Sequence, residues 1–309
     1  MGAGLQGDAR RAVELLRAVD STTLSEKDRD YRTCMLERFG DGSTPVPPAP
    51  PRADTFAAEI IEIYRHYWHA SLRAPERRED HTRALEHTLR TRLELPDKTD
   101  SVAIEHAVRD KLEAQGLHVL LGQTGVLREL MIWRQETRRA ETVEMPHGTY
   151  RTNVAFLDDF MIFGWGQYAT CEMRGAGGWV ADRTLYAVVP IYDDLEGEEF
   201  RVTFLGHETQ HFLDLDAFPD MAPWELEYRA KLMELAMADS TRFRVLQKFI
   251  EDQGDDPTSP HSYANRKVLE GLSEELSSLG VDSIESAEGD VVRGAAYSLF
   301  LADTARRDR

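Results

Sequence analysis

The sequence predicts an α+β protein that is mostly helical and carries one small antiparallel sheet. Three observations lead there. Apolar residues recur at helical spacing through most of residues 8–38, 55–141 and 199–305. Between them, residues 145–192 change texture, with Gly and Pro punctuating short runs rich in Val, Phe, Tyr and Ile, as strands joined by turns would be. A length of 309 residues with 41 % hydrophobic content is enough for a buried core. The implied organisation is an N-terminal helical segment over 1–43, a proline-rich linker over 44–54, a helical region over 55–144, and a C-terminal domain over 145–309.

Taken in order, residues 8–38 read as two short polar helices. The run from Thr44 to Pro51, T-P-V-P-P-A-P-P, must be extended and serves as a semi-rigid linker. From about Thr55, Phe56, Ile60, Ile63, Tyr64, Tyr67 and Trp68 give one helix a broad apolar face. Segments 79–93, 101–115 and 124–139 continue this helical block, with Gly116 as a C-terminal stop. His66 and His69 lie one turn apart on the first of these helices, where adjacent Tyr67 and Trp68 favour packing over metal binding.

Strands are expected at 154–157 and 160–163 around Asp158-Asp159, at 168–171, and at 184–192, with Gly175, Gly177 and Gly178 marking a turn. Pro190 makes the last of these an edge strand or a bulged one. Helices follow at about 199–214, at 224–238 after Pro223, and at 240–252, 263–279 and 288–305.

The helix at 199–214 contains His207-Glu208-Thr209-Gln210-His211, which reads H-E-x-x-H. On an α-helix, residues four apart project from one face about 6 Å apart along the axis. Two imidazole nitrogens can then reach one ion at roughly 2.0–2.1 Å. Glu208 lies about 100° round the helix, near the metal but off it, as suits a proton-handling base. Gly206 beside the first histidine would let another backbone come close. On the next helix Leu226, Ala230, Met233 and Met237 form an apolar stripe, with Glu227 beside it in the first turn, where the helix dipole also favours a carboxylate.

H-E-x-x-H followed by a second helix bearing a glutamate resembles the gluzincin branch of zinc peptidases, those with thermolysin-like active sites. The likeness covers residues 207–238. It implies a zincin-like catalytic domain over 145–309, with Zn2+ held by His207, His211 and Glu227, water in the fourth position, and Glu208 as general base. The sequence departs from that pattern in two places. The interval from His211 to Glu227 is short for the group, and the usual Asp one turn after the ligand glutamate is Lys231, so Glu234 and Glu225 stay open as third ligands. A third histidine of metzincin type would fall at Ala217. Asp214 shares the face of the two histidines and is expected to support an imidazole rather than bind metal. The resemblance also assigns an oxyanion donor downstream, for which His261 and Tyr263 are the candidates. It further implies an exposed strand before the zinc helix that pairs with extended substrate, and residues 184–189 occupy that place.

The formal charge of −18 argues against nucleic acid and anionic membranes as partners, since both reward a basic surface. No stretch has the apolar length to span a bilayer, and Met1 to Asp20 lacks the apolar core of a signal peptide. Cys34 and Cys171 are too few for a disulfide framework and form no C-x-x-C pair, which fits a reducing cytoplasm. The expected activity is zinc-dependent hydrolysis of a peptide or protein substrate. The alternatives are hydrolysis of a non-peptide amide and a catalytically idle zincin acting as an interaction module.

Overall fold

A computed structural model describes residues 2–42, 55–284 and 286–308. The proline-rich linker at 44–54 lies outside the described residues. The chain is α+β and mostly helical, and it divides into two compact units. One comprises Met1–Glu136 with Leu157–Ala176, the other Thr137–Phe156 with Gly177–Arg309.

In the first unit, α1 (Gly2–Leu5), α2 (Ala9–Ala18) and α3 (Glu26–Phe39) open the chain. Asp8 and Ser25 cap α2 and α3 by accepting first-turn amides. The long α4 (Thr55–Arg73) buries Phe56, Ile60, Tyr64, Tyr67 and Trp68, as the helical spacing requires. Leu85, Leu89 and Leu93 of α5 (Arg78–Leu93), with Ile104, Val108 and Leu112 of α6 (Ser101–Glu113), complete the helical side of this core. Gly116, at φ 74°, follows the end of α6. His69 is a packing residue: its ring stacks on Phe39 and its Nε2 lies 2.9 Å from the Arg38 carbonyl.

The helix expected at 124–139 is strand instead, so the region 55–144 is not wholly helical. β1 (His118–Thr124) pairs antiparallel with β2 (Leu127–Met145), with Thr124 opposite Leu127. The Arg, Glu, Gln, Leu and Met of this stretch are good helix formers, but ladder bonds to a neighbouring strand and near-continuous burial of 127–133 outweigh that preference. Gly125, at φ 55°, is the first residue of the two-residue hairpin loop, and that glycine was the available signal.

β3 (Gly148–Phe163) is one continuous strand where two were expected, with Asp159 in the left-handed region at φ 51° inside it. Residues 168–171, expected as strand, belong to α7 (Trp165–Ala169) and the turn after it. The buried Glu129 carboxylate organises that entry by accepting from Thr124 Oγ1 (2.5 Å), Leu130 N (3.0 Å) and Trp165 N (3.0 Å). Burial pushes its pKa up, and the three hydrogen bonds only oppose this. Gly164, at φ 95°, is required here, since a Cβ would stand 2.5 Å from Glu129 Oε1. Cys34 and Cys171 form a disulfide (Cα–Cα 6.2 Å) tying α3 to the turn after α7, a pairing that the cysteine count did not suggest.

In the second unit, β4 (Gly178–Ala181) pairs with β5 (Thr184–Val188). The five strands run in the order β1-β2-β3-β5-β4 in one sheet that is mixed, not wholly antiparallel as expected. β5 is therefore interior, and the edge on that side is β4, which the sequence reading passed over. The strand expected to reach Tyr192 stops at Val188, and Val189–Ile191 forms a 3-10 turn because Pro190 cannot donate to a ladder. Three residues of α8 (Glu198–Phe200) lead into a π-helical turn, Arg201–Gly206, and then α9 (His207–Ala217). Phe200, Phe204 and Leu205 of this stretch pack with Leu232, Met233 and Leu235 of α10 (Pro223–Met237) in the core. α11 (Arg242–Glu251), α12 (Pro260–Ser278) and α13 (Gly289–Arg307) close the unit where helices were expected. Burial would raise the Glu198 pKa, but hydrogen bonds from residues 239–241 at the head of α11 pull it down to about 2.

Candidate metal centre

The π-helical turn directly precedes His207, and π-turns inside helices recur at functional sites. Gly206 meets a side chain there, not the backbone expected. A Cβ would stand 2.6 Å from the Met237 sulfur at the end of α10. The same turn brings up β4, because a Cβ on Gly178 would meet the Phe204 ring at 2.2 Å.

His207 and His211 project from one face of α9, with Nε2 atoms 3.0 Å apart and rings near perpendicular. Glu227, in the first turn and a half of α10, meets them with Oε1 3.4 Å from His211 Nε2 and Oε2 3.6 Å from His207 Nε2. Ligand atoms of a tetrahedral zinc with bonds near 2.0–2.1 Å stand roughly 3.3 Å from one another. With one atom taken from each residue, the three lie within 4.8 Å of one another, a group that could hold a metal ion. Among the described residues no other group of three His, Cys, Asp or Glu converges in this way. His207 and Glu227 are buried, and Glu227 Oε2 receives no aligned hydrogen bond. The polar neighbours of that oxygen include His261 Nδ1 at 2.9 Å and Lys231 Nζ at 3.8 Å, neither aligned as a hydrogen bond. The donor set of two imidazoles and a carboxylate is that of catalytic zinc sites.

Glu234 and Glu225, the other candidate ligands, have separate tasks. Glu234 Oε1 lies 2.5 Å from His207 Nδ1, so it holds the ring and leaves Nε2 facing His211 and Glu227. Glu225 accepts from Ala222 N at 3.1 Å and pairs with Arg307 at 2.8 Å. Asp214 does not support an imidazole as expected. It accepts from Gln210 Nε2 and Arg229 Nε, both at 2.9 Å, because the buried Arg229 guanidinium is the stronger partner. Arg229 also reaches Asp303 of α13 at 3.0 Å. Lys231 places Nζ 3.8 Å from Glu227 Oε2 and 5.0 Å from the centre of the Phe249 ring.

The electrostatics follow from this crowding. Burial alone would lower the His207 pKa, but Glu227, Glu234 and Glu208 overcome it and raise the imidazole to about 9. Burial would likewise raise Glu227, yet His207, His211 and His261 hold it well below the usual carboxylate range. Glu208 is half-buried and makes no hydrogen bond or ion pair among the described residues, so its oxygens are uncommitted.

The two downstream candidates part company. His261, in the first turn of α12 and largely exposed, sets Nδ1 2.9 Å from Glu227 Oε2, a charge contact at the edge of the centre. Tyr263 packs edge-to-face on Trp224 at 5.2 Å with Arg266 and Lys267 over its ring, and makes no polar contact with the histidines or Glu227. A residue missed from sequence is Tyr192. Its ring packs on Phe200 and Phe204, and burial, then Glu208, Glu234 and Glu199, push its hydroxyl pKa upward. Nothing in the local sequence separates it from any other strand-end tyrosine. Comparison with protein-family models, curated proteins and solved structures gives no match, so the geometry of this centre carries the functional argument.

Proposed function

We propose that the chain is a zinc-dependent metallopeptidase with His207, His211 and Glu227 as ligands and Glu208 as general base. The observation that carries the reading is the convergence of these three ligands beside a glutamate whose oxygens are uncommitted. A site with a purely structural ion has no use for such a base and closes its coordination with protein. When bound, zinc would supply Lewis-acid polarisation of a substrate carbonyl and acidify a water molecule toward pKa about 7. Glu208 takes the proton of the attacking water and delivers it to the leaving amine. Glu234 fixes the His207 tautomer, and His261 stands at the exposed rim as a donor toward substrate oxygen. Extended substrate pairs with β4, the edge strand that Gly178 lets lie against Phe204.

Among the described residues no helix is long and apolar enough to cross a membrane. A bridge such as Cys34–Cys171 persists in oxidising compartments, which argues against the cytoplasmic setting suggested by the cysteine count.

The test is cleavage of a mixed peptide library by native protein and by Glu208→Gln, with zinc content measured on both. Cleavage only by the native form, with zinc retained by both, is the expected result. Equal behaviour of the two forms while both hold zinc would remove the peptidase assignment.

A further inference from the structure

A second site lies in the first unit and shares no residue with the metal centre. A cavity of about 360 Å³ opens beside the N-terminal half of α5 and the β1–β2 hairpin. Its volume is in the range of small-molecule sites. Its wall carries three guanidiniums, Arg78, Arg83 and Arg128, against one carboxylate, Glu79. That balance is the reverse of the whole chain, which has 55 acidic residues against 37 Lys and Arg. A cluster of like charges costs energy unless something of opposite sign faces it.

Local carboxylates answer only part of that charge. Arg128 has Glu105 at 3.4 Å and Glu86 at 3.8 Å, and Arg83 pairs with Asp80 and has Glu79 at 3.9 Å. Arg78 has no carboxylate within ion-pair distance among the described residues. It is anchored through Nη2 to the Gly7 carbonyl at 2.6 Å, and its Nη1 makes no hydrogen bond. The guanidinium is thus held in place with charge and a donor unspent, the preorganised state that favours binding. Tyr67 and Thr82 add hydroxyls to the same wall, 3.3 Å from each other.

We propose that this cavity binds a small molecule through an oxyanion group, phosphate or carboxylate, with Arg78 and Arg83 as the charged contacts and one hydroxyl of the bonded Tyr67–Thr82 pair as a further donor. Arginine suits both groups because its planar fork matches two oxygens at once. The site is independent of the metal centre and stands or falls without it.

Isothermal titration of the full chain with inorganic phosphate, and separately with succinate, tests the assignment at constant ionic strength. We expect one equivalent of at least one anion to bind, with affinity falling tenfold or more in Arg83→Gln and in Arg78→Met. Binding of phosphate alone identifies the ligand class as phosphorylated, and binding of succinate alone as a carboxylic acid. Circular dichroism reports whether Arg78→Met, which also loses the Gly7 anchor, still folds. Arg83 is exposed enough for its replacement to leave the fold intact and decides the matter if it does not. Binding of neither anion above a chloride control, or equal binding by native protein and Arg83→Gln, overturns the proposal.

Discussion

If the centre binds zinc as proposed, loading should expel a proton, and the amount follows from the surroundings of His207. In the metal-free chain His207 lies between Glu227 and Glu234, which with Glu208 raise its pKa to about 9. At pH 7.5 the ring is therefore almost fully protonated, whereas a zinc ligand must present a neutral nitrogen. Binding should release close to one proton from this residue. Well below pH 9 affinity should weaken about tenfold per pH unit, or about 1.4 kcal/mol, giving roughly fiftyfold between pH 9, where the ring is half protonated, and pH 7. Calorimetry in buffers of different ionisation enthalpy counts the proton, and competition with a chelator across pH 7–9 measures the slope. A flat affinity over that range with no buffer dependence would refute the account of His207. The same group makes the metal-free chain sensitive to alkali. A pKa raised from 6.5 to about 9 contributes about 3 kcal/mol of stability below pH 6.5, lost as pH rises through 9. Metal-free protein should thus lose stability to urea between pH 6.5 and 9, and zinc-loaded protein should not follow this curve.

Other expectations follow from neighbouring contacts. Glu234→Gln removes the carboxylate on His207 Nδ1, and zinc affinity should fall about 10–100-fold while the fold, followed by circular dichroism, survives. Arg229→Met leaves Asp214 buried without its cation, while Asp303 keeps Arg306 and Arg307, and urea denaturation should show a loss of roughly 3–5 kcal/mol. Exchanging both Cys34 and Cys171 for serine opens a loop of 137 residues in sequence separation and should cost roughly 2–5 kcal/mol, visible as a lower thermal midpoint. Gly164→Ala should destabilise by roughly 1–3 kcal/mol, because a left-handed φ and the Glu129 carboxylate both oppose a Cβ.

Where the chain spoke plainly, one local physical rule decided the outcome. The α4 face, the leucine ladder of α5 and the helices after Pro223 follow from helical spacing that no tertiary contact opposes. Where it misled, distant partners had the larger say. Residues 124–139 have helix-forming side chains, yet strands on either side satisfy their backbone. Tyr168 to Cys171 are strand formers, yet Glu129 captures the Trp165 amide, and the disulfide joins Cys171 to a residue 137 positions away. Asp214 sits on the histidine face, yet Arg229 from the next helix claims it.

The spacing of His207, Glu208 and His211 is fixed by the helical repeat alone, because residues four apart must share a face whatever packs around them. Which acid completes the group was a question of tertiary packing, since Glu225, Glu227 and Glu234 occupy one helix at angles that sequence cannot rank against α9. The packing of α10 turned Glu227 toward both Nε2 atoms, set Glu234 behind His207, and gave Glu225 to Arg307.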